Sequence, residues 1–154
     1  MKKIIALLLM MTFVFMFTAC GGSGTEDAGA SEESGQNPIM NFVGDYTCDR
    51  ASIHIEALDE TDKAKATVTW GSSAFETSEW VMTGTFDSQS LSFDYEDCVR
   101  TDYKYAENGD IEEQKEVYTG GKGHMAFTEG DTLELVWIDE QENIADDMSF
   151  TYSN

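Results

Sequence analysis

From Ile39 to Asn154 the chain alternates large apolar and polar residues with a period of two. Ile53, Ile55 and Ala57 interleave with His54 and Glu56, and Ala66, Val68 and Trp70 with Thr67 and Thr69. Trp80, Met82, Gly84 and Phe86 interleave with Val81, Thr83 and Thr85, and Leu91, Phe93 and Tyr95 with Ser92 and Asp94. Met125 and Phe127 follow Gly123, then come Leu133, Leu135 and Trp137, and finally Met148, Phe150 and Tyr152. Successive side chains of a strand point to opposite faces, so each set lays one apolar row on one face. The segments Asp59–Lys65 and Glu140–Asp146 offer at most a short helical turn. Turn residues separate the rows at Asp87-Ser88-Gln89, Asn108-Gly109 and Glu129-Gly130-Asp131. Asn-Gly is the strongest short hairpin signal because both central positions of its turn accept positive φ. Gly120-Gly121, with Gly123 nearby, predicts a sharp bend or bulge. The expected fold is all-β, an antiparallel meander of about 8–10 short strands. A closed or nearly closed barrel is favoured because closure removes exposed edges, with a two-sheet sandwich as the alternative.

The N-terminus follows another rule. Met1-Lys2-Lys3 is positive, Ile4 to Phe17 is apolar apart from Thr12, and the small residues Thr18 and Ala19 precede Cys20. That order makes a secretory signal, and the run is shorter than the roughly 20 apolar residues that span a bilayer. Phe17-Thr18-Ala19-Cys20 resembles the lipobox of bacterial lipoproteins, with Phe in place of the usual Leu. The resemblance implies a signal peptide over 1–19, cleavage before Cys20, and acyl chains attached through the Cys20 thiol. Two chains make a stable anchor, since each buried methylene contributes about 0.8 kcal/mol. The expected location is therefore the extracytoplasmic face of a cell membrane. Residues 20–38 then form a lipidated, acidic Gly/Ser linker with no aromatic or branched aliphatic side chain. Such a stretch buries too little apolar surface to order itself, and its flexible reach is roughly 23 Å. Residues 39–154 form a single acidic β domain.

Charge narrows the partners. The precursor carries −21 at neutral pH, and loss of Lys2 and Lys3 takes it to −23. Glu26, Asp27, Glu32 and Glu33 sit in the linker, which leaves −19 on residues 39–154. So acidic a chain is repelled by nucleic acid and by anionic lipid, and steers cationic partners towards itself.

Candidate chemistry is sparse. Cys48 and Cys98 remain after lipidation of Cys20, and an exported domain can hold a disulfide between them; two buried thiols are the alternative. Metal binding is not expected: His54 and His124 are the only histidines, and no zinc-type spacing is present. Asp94-Tyr95-Glu96-Asp97, and Asp139-Glu140-Gln141-Glu142 with Asp146-Asp147, are the densest carboxylate clusters, without the alternating pattern of an EF-hand. No nucleophile–base spacing, phosphate loop or cofactor motif is present, so neither an enzyme nor a cofactor is expected. The aromatics are more suggestive. Most build a core, but Trp70, Phe75, Trp80, Tyr103 and Tyr105 are candidates for a ligand rim. Trp70-Gly71-Ser72-Ser73-Ala74-Phe75 ends a strand in a small-residue loop, and Tyr103 and Tyr105 lie beside Arg100 and Lys104.

The spacing Gly44-x-Tyr46, Trp70-Gly71-Ser72-Ser73, Glu79-Trp80-x-Met82-x-Gly84-x-Phe86-Asp87, Tyr95-x-x-Cys98 and Trp137 resembles uncharacterised small lipoproteins of Gram-positive anaerobes. It implies fold and address but no activity. The expected barrel is similar in kind to lipocalins and other calycins. A looser similarity, to membrane-bound inhibitors of C-type lysozyme, rests on Thr83-Gly84-Thr85-Phe86, which lacks the Ser and Tyr of their loop. The expected function is a lipid-anchored, non-catalytic binding module for a small ligand or a protein. The alternative is an inhibitor of a cationic enzyme such as lysozyme, or an envelope stress protein, acting through an exposed acidic loop.

Overall fold

The computed structural model describes residues 37–58, 61–145 and 148–153. The signal segment 1–19, Cys20 and the linker as far as Gln36 lie outside the described residues, as do Asp146 and Asp147. Eight strands follow one another: β1 (Gly44–Cys48), β2 (Ala51–Ala57), β3 (Lys63–Gly71), β4 (Glu76–Asp87), β5 (Ser92–Tyr105), β6 (Ile111–Thr128), β7 (Glu134–Asp139) and β8 (Ser149–Ser153). Each pairs antiparallel with its sequence neighbours, and β8 returns to β1, so the meander closes into a barrel. The sandwich alternative is thereby set aside. Lys63–Lys65, read in the sequence as part of a possible helical turn, instead opens β3.

The period-two pattern produces the interior. Ile53, Ile55, Ala66, Val68, Trp80, Met82, Phe93, Met125, Leu135, Trp137 and Phe150 are all essentially inaccessible to solvent. Trp80 and Trp137 meet edge to face, with ring centroids 5.3 Å apart and planes at 71°. Their indole N–H groups donate to the hydroxyls of Tyr118 and Tyr95, each at 2.9 Å. Burying a tryptophan requires such a partner, because an orphaned N–H in the core would forfeit its bond to water.

One end of the barrel is stoppered by a segment the sequence assigned partly to the linker. The Asn37 side chain accepts a hydrogen bond from the Ile39 amide and starts a 3-10 helix over Pro38–Asn41. That turn seats Ile39 and Phe42 in the core. Phe42 packs 5.0 Å from both Phe86 and Phe127, and its carbonyl accepts the Tyr46 hydroxyl at 3.0 Å.

Two glycines permit close strand approach. A Cβ at Gly84 would collide with the Asp94 carbonyl and the Phe93 ring, and one at Gly123 with the Ile138 carbonyl and the Tyr95 ring. The predicted irregularity near Gly120-Gly121 is present: the β5–β6 register shifts on both sides of the Cys98–Gly121 pair, and Gly120 has φ +69°. The Asn108-Gly109 turn forms, but not as the two-residue type. Ala106 and Asp110 bracket a three-residue loop in which only Gly109 has positive φ.

The predicted disulfide is absent. Cys48 and Cys98 are free thiols, the first half-buried and the second fully buried. Their strands, β1 and β5, lie four places apart either way round the ring of eight. Burial, aided by the Asp139 charge, pushes the Cys98 thiol up to about 12. Since the thiolate is the reactive form, a thiol reagent applied to the native protein will modify Cys48 and spare Cys98 until the barrel unfolds. Mass spectrometry of peptides from partly labelled protein checks this; equal labelling would contradict the arrangement.

Candidate functional site

At the end opposite Phe42, the inward positions change from apolar to polar. Cross-strand register places Ala51 opposite Trp70, Trp70 opposite Ser78, Ser78 opposite Asp102 and Asp102 opposite Lys115. One row deeper, Val68 faces Trp80, Trp80 faces Arg100 and Arg100 faces Tyr118. Arg100 therefore enters the mouth of the barrel directly above the buried tryptophan. Its guanidinium lies 4.9 Å from the Trp80 ring centre. It donates to Asp102 at 3.0 Å, to the Ser78 hydroxyl at 3.3 Å and to Glu142 from the β7–β8 loop. Burial works against the charged guanidinium, but its hydrogen bonds to the Glu142 and Asp102 carboxylates outweigh it and raise its pKa above the ordinary value. Arg100 thus closes this end and ties the last loop to it.

Beneath Arg100 lies a buried carboxylate. Asp139 is inaccessible to solvent. It accepts the Tyr118 hydroxyl at 3.2 Å and the Gln141 amide at 3.3 Å. A chain of hydrogen bonds therefore runs from the Trp80 indole through Tyr118 to Asp139. Burial raises the Asp139 pKa above its ordinary 3.8, with the Glu142 charge adding to it and the two donors opposing it. Because the raised value belongs to the folded state, ionising Asp139 costs stability, and the cost grows as pH rises above 3.8. Asp139→Asn removes that cost. Its stability relative to the parent will therefore increase with pH, as urea titrations across the acid-to-neutral range can read. A difference that shrinks with pH would contradict the assignment.

Outside Arg100, strands β4, β5 and β6 carry an open groove of about 330 Å³. Glu76, Ser78, Asp102, Lys104, Glu113 and Lys115 line it together with Arg100 and Tyr103. Register makes its floor a checkerboard of charge: Glu76 opposes Lys104, Lys104 opposes Glu113, and Asp102 opposes Lys115. Three of the seven basic residues after Cys20 gather here. Arg100 is saturated. Lys104 and Lys115 make neither ion pair nor side-chain hydrogen bond with the described residues, in contrast to Lys65, held by Glu56, and Lys122, held by Glu96.

The five rim residues read from the sequence are split by the structure. Tyr103 borders the groove and donates to Glu79 at 3.2 Å. Tyr105 stacks on Tyr103, and its amide donates to the Phe75 carbonyl. Phe75 stands 46% exposed at the β3–β4 turn. Trp70 is half-buried against the core. Trp80 is no rim residue: it is wholly enclosed and touches Trp137. A ligand mouth around Trp80 is therefore corrected to a filled interior, with the concavity displaced outward.

Several carboxylates of the two clusters are engaged structurally. Asp97 accepts the amide and hydroxyl of Thr83 where the β4–β5 ladder shifts register, and Glu96 pairs with Lys122. Asp139, at the end of β7, is buried, and Glu142 beyond it is bound to Arg100, so the described start of the β7–β8 loop is tied back. Among the described residues no group of three His, Cys, Asp or Glu side chains is placed to hold a metal ion. His54 pairs with Asp45 at 2.7 Å on the exposed surface.

Ser78, Asp102 and Lys115 were not singled out in the sequence, and Asp139 and Glu142 were read there only as members of a carboxylate cluster. For Ser78 a signal existed: extending the Trp80–Phe86 alternation backwards reaches Ser78 and Glu76 on the inner face. Asp139 ends β7 and Glu142 follows in the β7–β8 loop, and only the closed topology brings Glu142 to Arg100 and Asp139 to Tyr118. The chain matches no family model, no curated protein and no solved structure.

Proposed function

We propose that this protein is a lipid-anchored, non-catalytic binding module on the outer side of a cell membrane, and that the groove beside Arg100 is its ligand site. The observation that carries the reading is the pair of unengaged lysines, Lys104 and Lys115, facing one concavity on an otherwise strongly acidic chain. Cations on such a chain have carboxylates at hand, so two left unpaired stand ready for a group from outside. The groove also holds Glu76 and Glu113, so it suits a small polar ligand carrying an acidic group and a basic or hydroxyl group. The filled barrel supports the placement outside, since the interior leaves its side chains no room to move aside. The membrane anchor rests on the Lys2-Lys3, apolar-run and Cys20 pattern.

A calorimetric screen of small acidic and zwitterionic compounds tests the site. Ligands of the groove will lose affinity at least about tenfold in the Lys104→Glu/Lys115→Glu chain, the equivalent of about 1.4 kcal/mol. Both side chains are exposed, but the reversal sets like charges opposite Glu76, Glu113 and Asp102, so the thermal midpoint will fall modestly and binding is read well below it. Ligands that bind the charge-reversed chain equally well would place recognition elsewhere.

A further inference from the structure

We infer that the uncovered edge of β6 at Glu113–Glu116 is a docking strand for an extended cationic segment of a partner protein. Strand β6 is 18 residues long, yet β7 pairs only with Gly123–Thr128. Its first half is held by β5 alone, and among the described residues no strand covers its other side. Every residue from Ile111 to Val117 is exposed. Half of the backbone donors and acceptors in this stretch therefore face solvent in a row, the arrangement that accepts an added strand.

The register sets the footprint. Pairing with β5 is regular from Glu113 opposite Lys104 to Glu116 opposite Thr101, and shifts at both ends. Irregularities bend an edge away from any straight partner, so the template is this short segment. Ile111 and Val117, 54% and 39% exposed, bracket it and offer apolar contact to the flanks of an incoming strand.

Charge chooses the occupant. Glu112, Glu113 and Glu116 outnumber Lys115 on this edge. A second copy of the chain would bring these carboxylates against their own kind, and like charges directly opposite destabilise a strand pair. The net −21 of the chain adds repulsion between copies. A strand with basic residues opposite Glu113 and Glu116 gains at both positions, and one acidic or neutral residue between them suits Lys115. This edge shares Glu113 and Lys115 with the groove floor, and the strand would add on the side of β6 away from β5.

Three short peptides test it against the full chain: a Lys/Arg-rich peptide of high β propensity, an acidic counterpart, and the basic peptide N-methylated at alternate residues. The basic peptide will bind and slow amide exchange across Glu113–Glu116, and the acidic one will not. N-methylation will weaken binding at least about tenfold by removing ladder hydrogen bonds. Glu113→Lys/Glu116→Lys will weaken the basic peptide while leaving the near-ultraviolet circular dichroism unchanged. Equal binding by the methylated peptide would show attraction by charge alone and overturn the proposal. So would failure of the basic peptide to bind, or protection of these amides by self-association seen in sedimentation without peptide.

Discussion

Trp80→Ala will destabilise the barrel by about 3–5 kcal/mol, the range for removing a large buried aromatic. The side chain is fully enclosed, meets Trp137 edge to face, lies under the Arg100 guanidinium and donates to Tyr118. Its loss leaves a cavity, strips the cation of its aromatic floor and leaves the Tyr118 hydroxyl without a donor. Trp80→Phe separates these contributions, because it keeps an aromatic ring and loses the N–H and some volume. It will cost about 1–2 kcal/mol, mostly the hydrogen bond. Denaturant titration of both variants reads the difference. An alanine variant within about 1 kcal/mol of the parent, the usual range for surface changes, would return Trp80 to the rim.

Cys20→Ser will move the protein from the membrane fraction to the soluble one. Once the signal segment 1–19 is removed, nothing else proposed here holds it there: the linker is acidic and polar, and residues 39–154 carry −19. Anionic headgroups repel such a chain, so the attachment we propose would rest on two acyl chains, each buried methylene contributing about 0.8 kcal/mol. Cys48→Ser, altering a half-buried thiol, will leave the distribution unchanged. Fractionation of cells followed by immunoblotting reads both. A Cys20→Ser chain that has lost its signal segment, as its mass on the blot shows, and still stays with the membrane would require another anchor.

Strand by strand, what could be read from the sequence was the part governed by period two. A barrel wall has one buried face, so Ile53, Ile55, Ala66, Val68, Met82 and Phe93 announce their positions by alternation. The first half of β6 does not: Glu112-Glu113-Gln114-Lys115-Glu116 is exposed on both faces, and pairing with β5 rather than burial makes it a strand. The stopper at Ile39 and Phe42 was hidden for a related reason, since a single 3-10 turn is too short to show a period. Trp80 was misjudged although its alternation was read correctly. An inward aromatic near a strand end fits either a mouth or a core, and only the arrival of Trp137 and Arg100 decides between them. The Cys48–Cys98 pairing failed on topology, because a meander keeps β1 and β5 on opposite sides. The groove was half legible: Arg100, Tyr103 and Lys104 stand close in sequence, whereas Ser78 and Lys115 join them only through register.

The central claim is that recognition occurs on the β4–β6 face beyond Arg100 and not inside the barrel. Amide chemical-shift mapping, as a groove ligand is added to the protein, tests it most directly. The account predicts changes confined to residues 76–78, 100–104 and 113–116, with the indole N–H resonance of Trp137 unmoved. Large shifts at Trp137, Met82, Phe93 and Leu135 with the groove amides silent would place the ligand in the interior and contradict it.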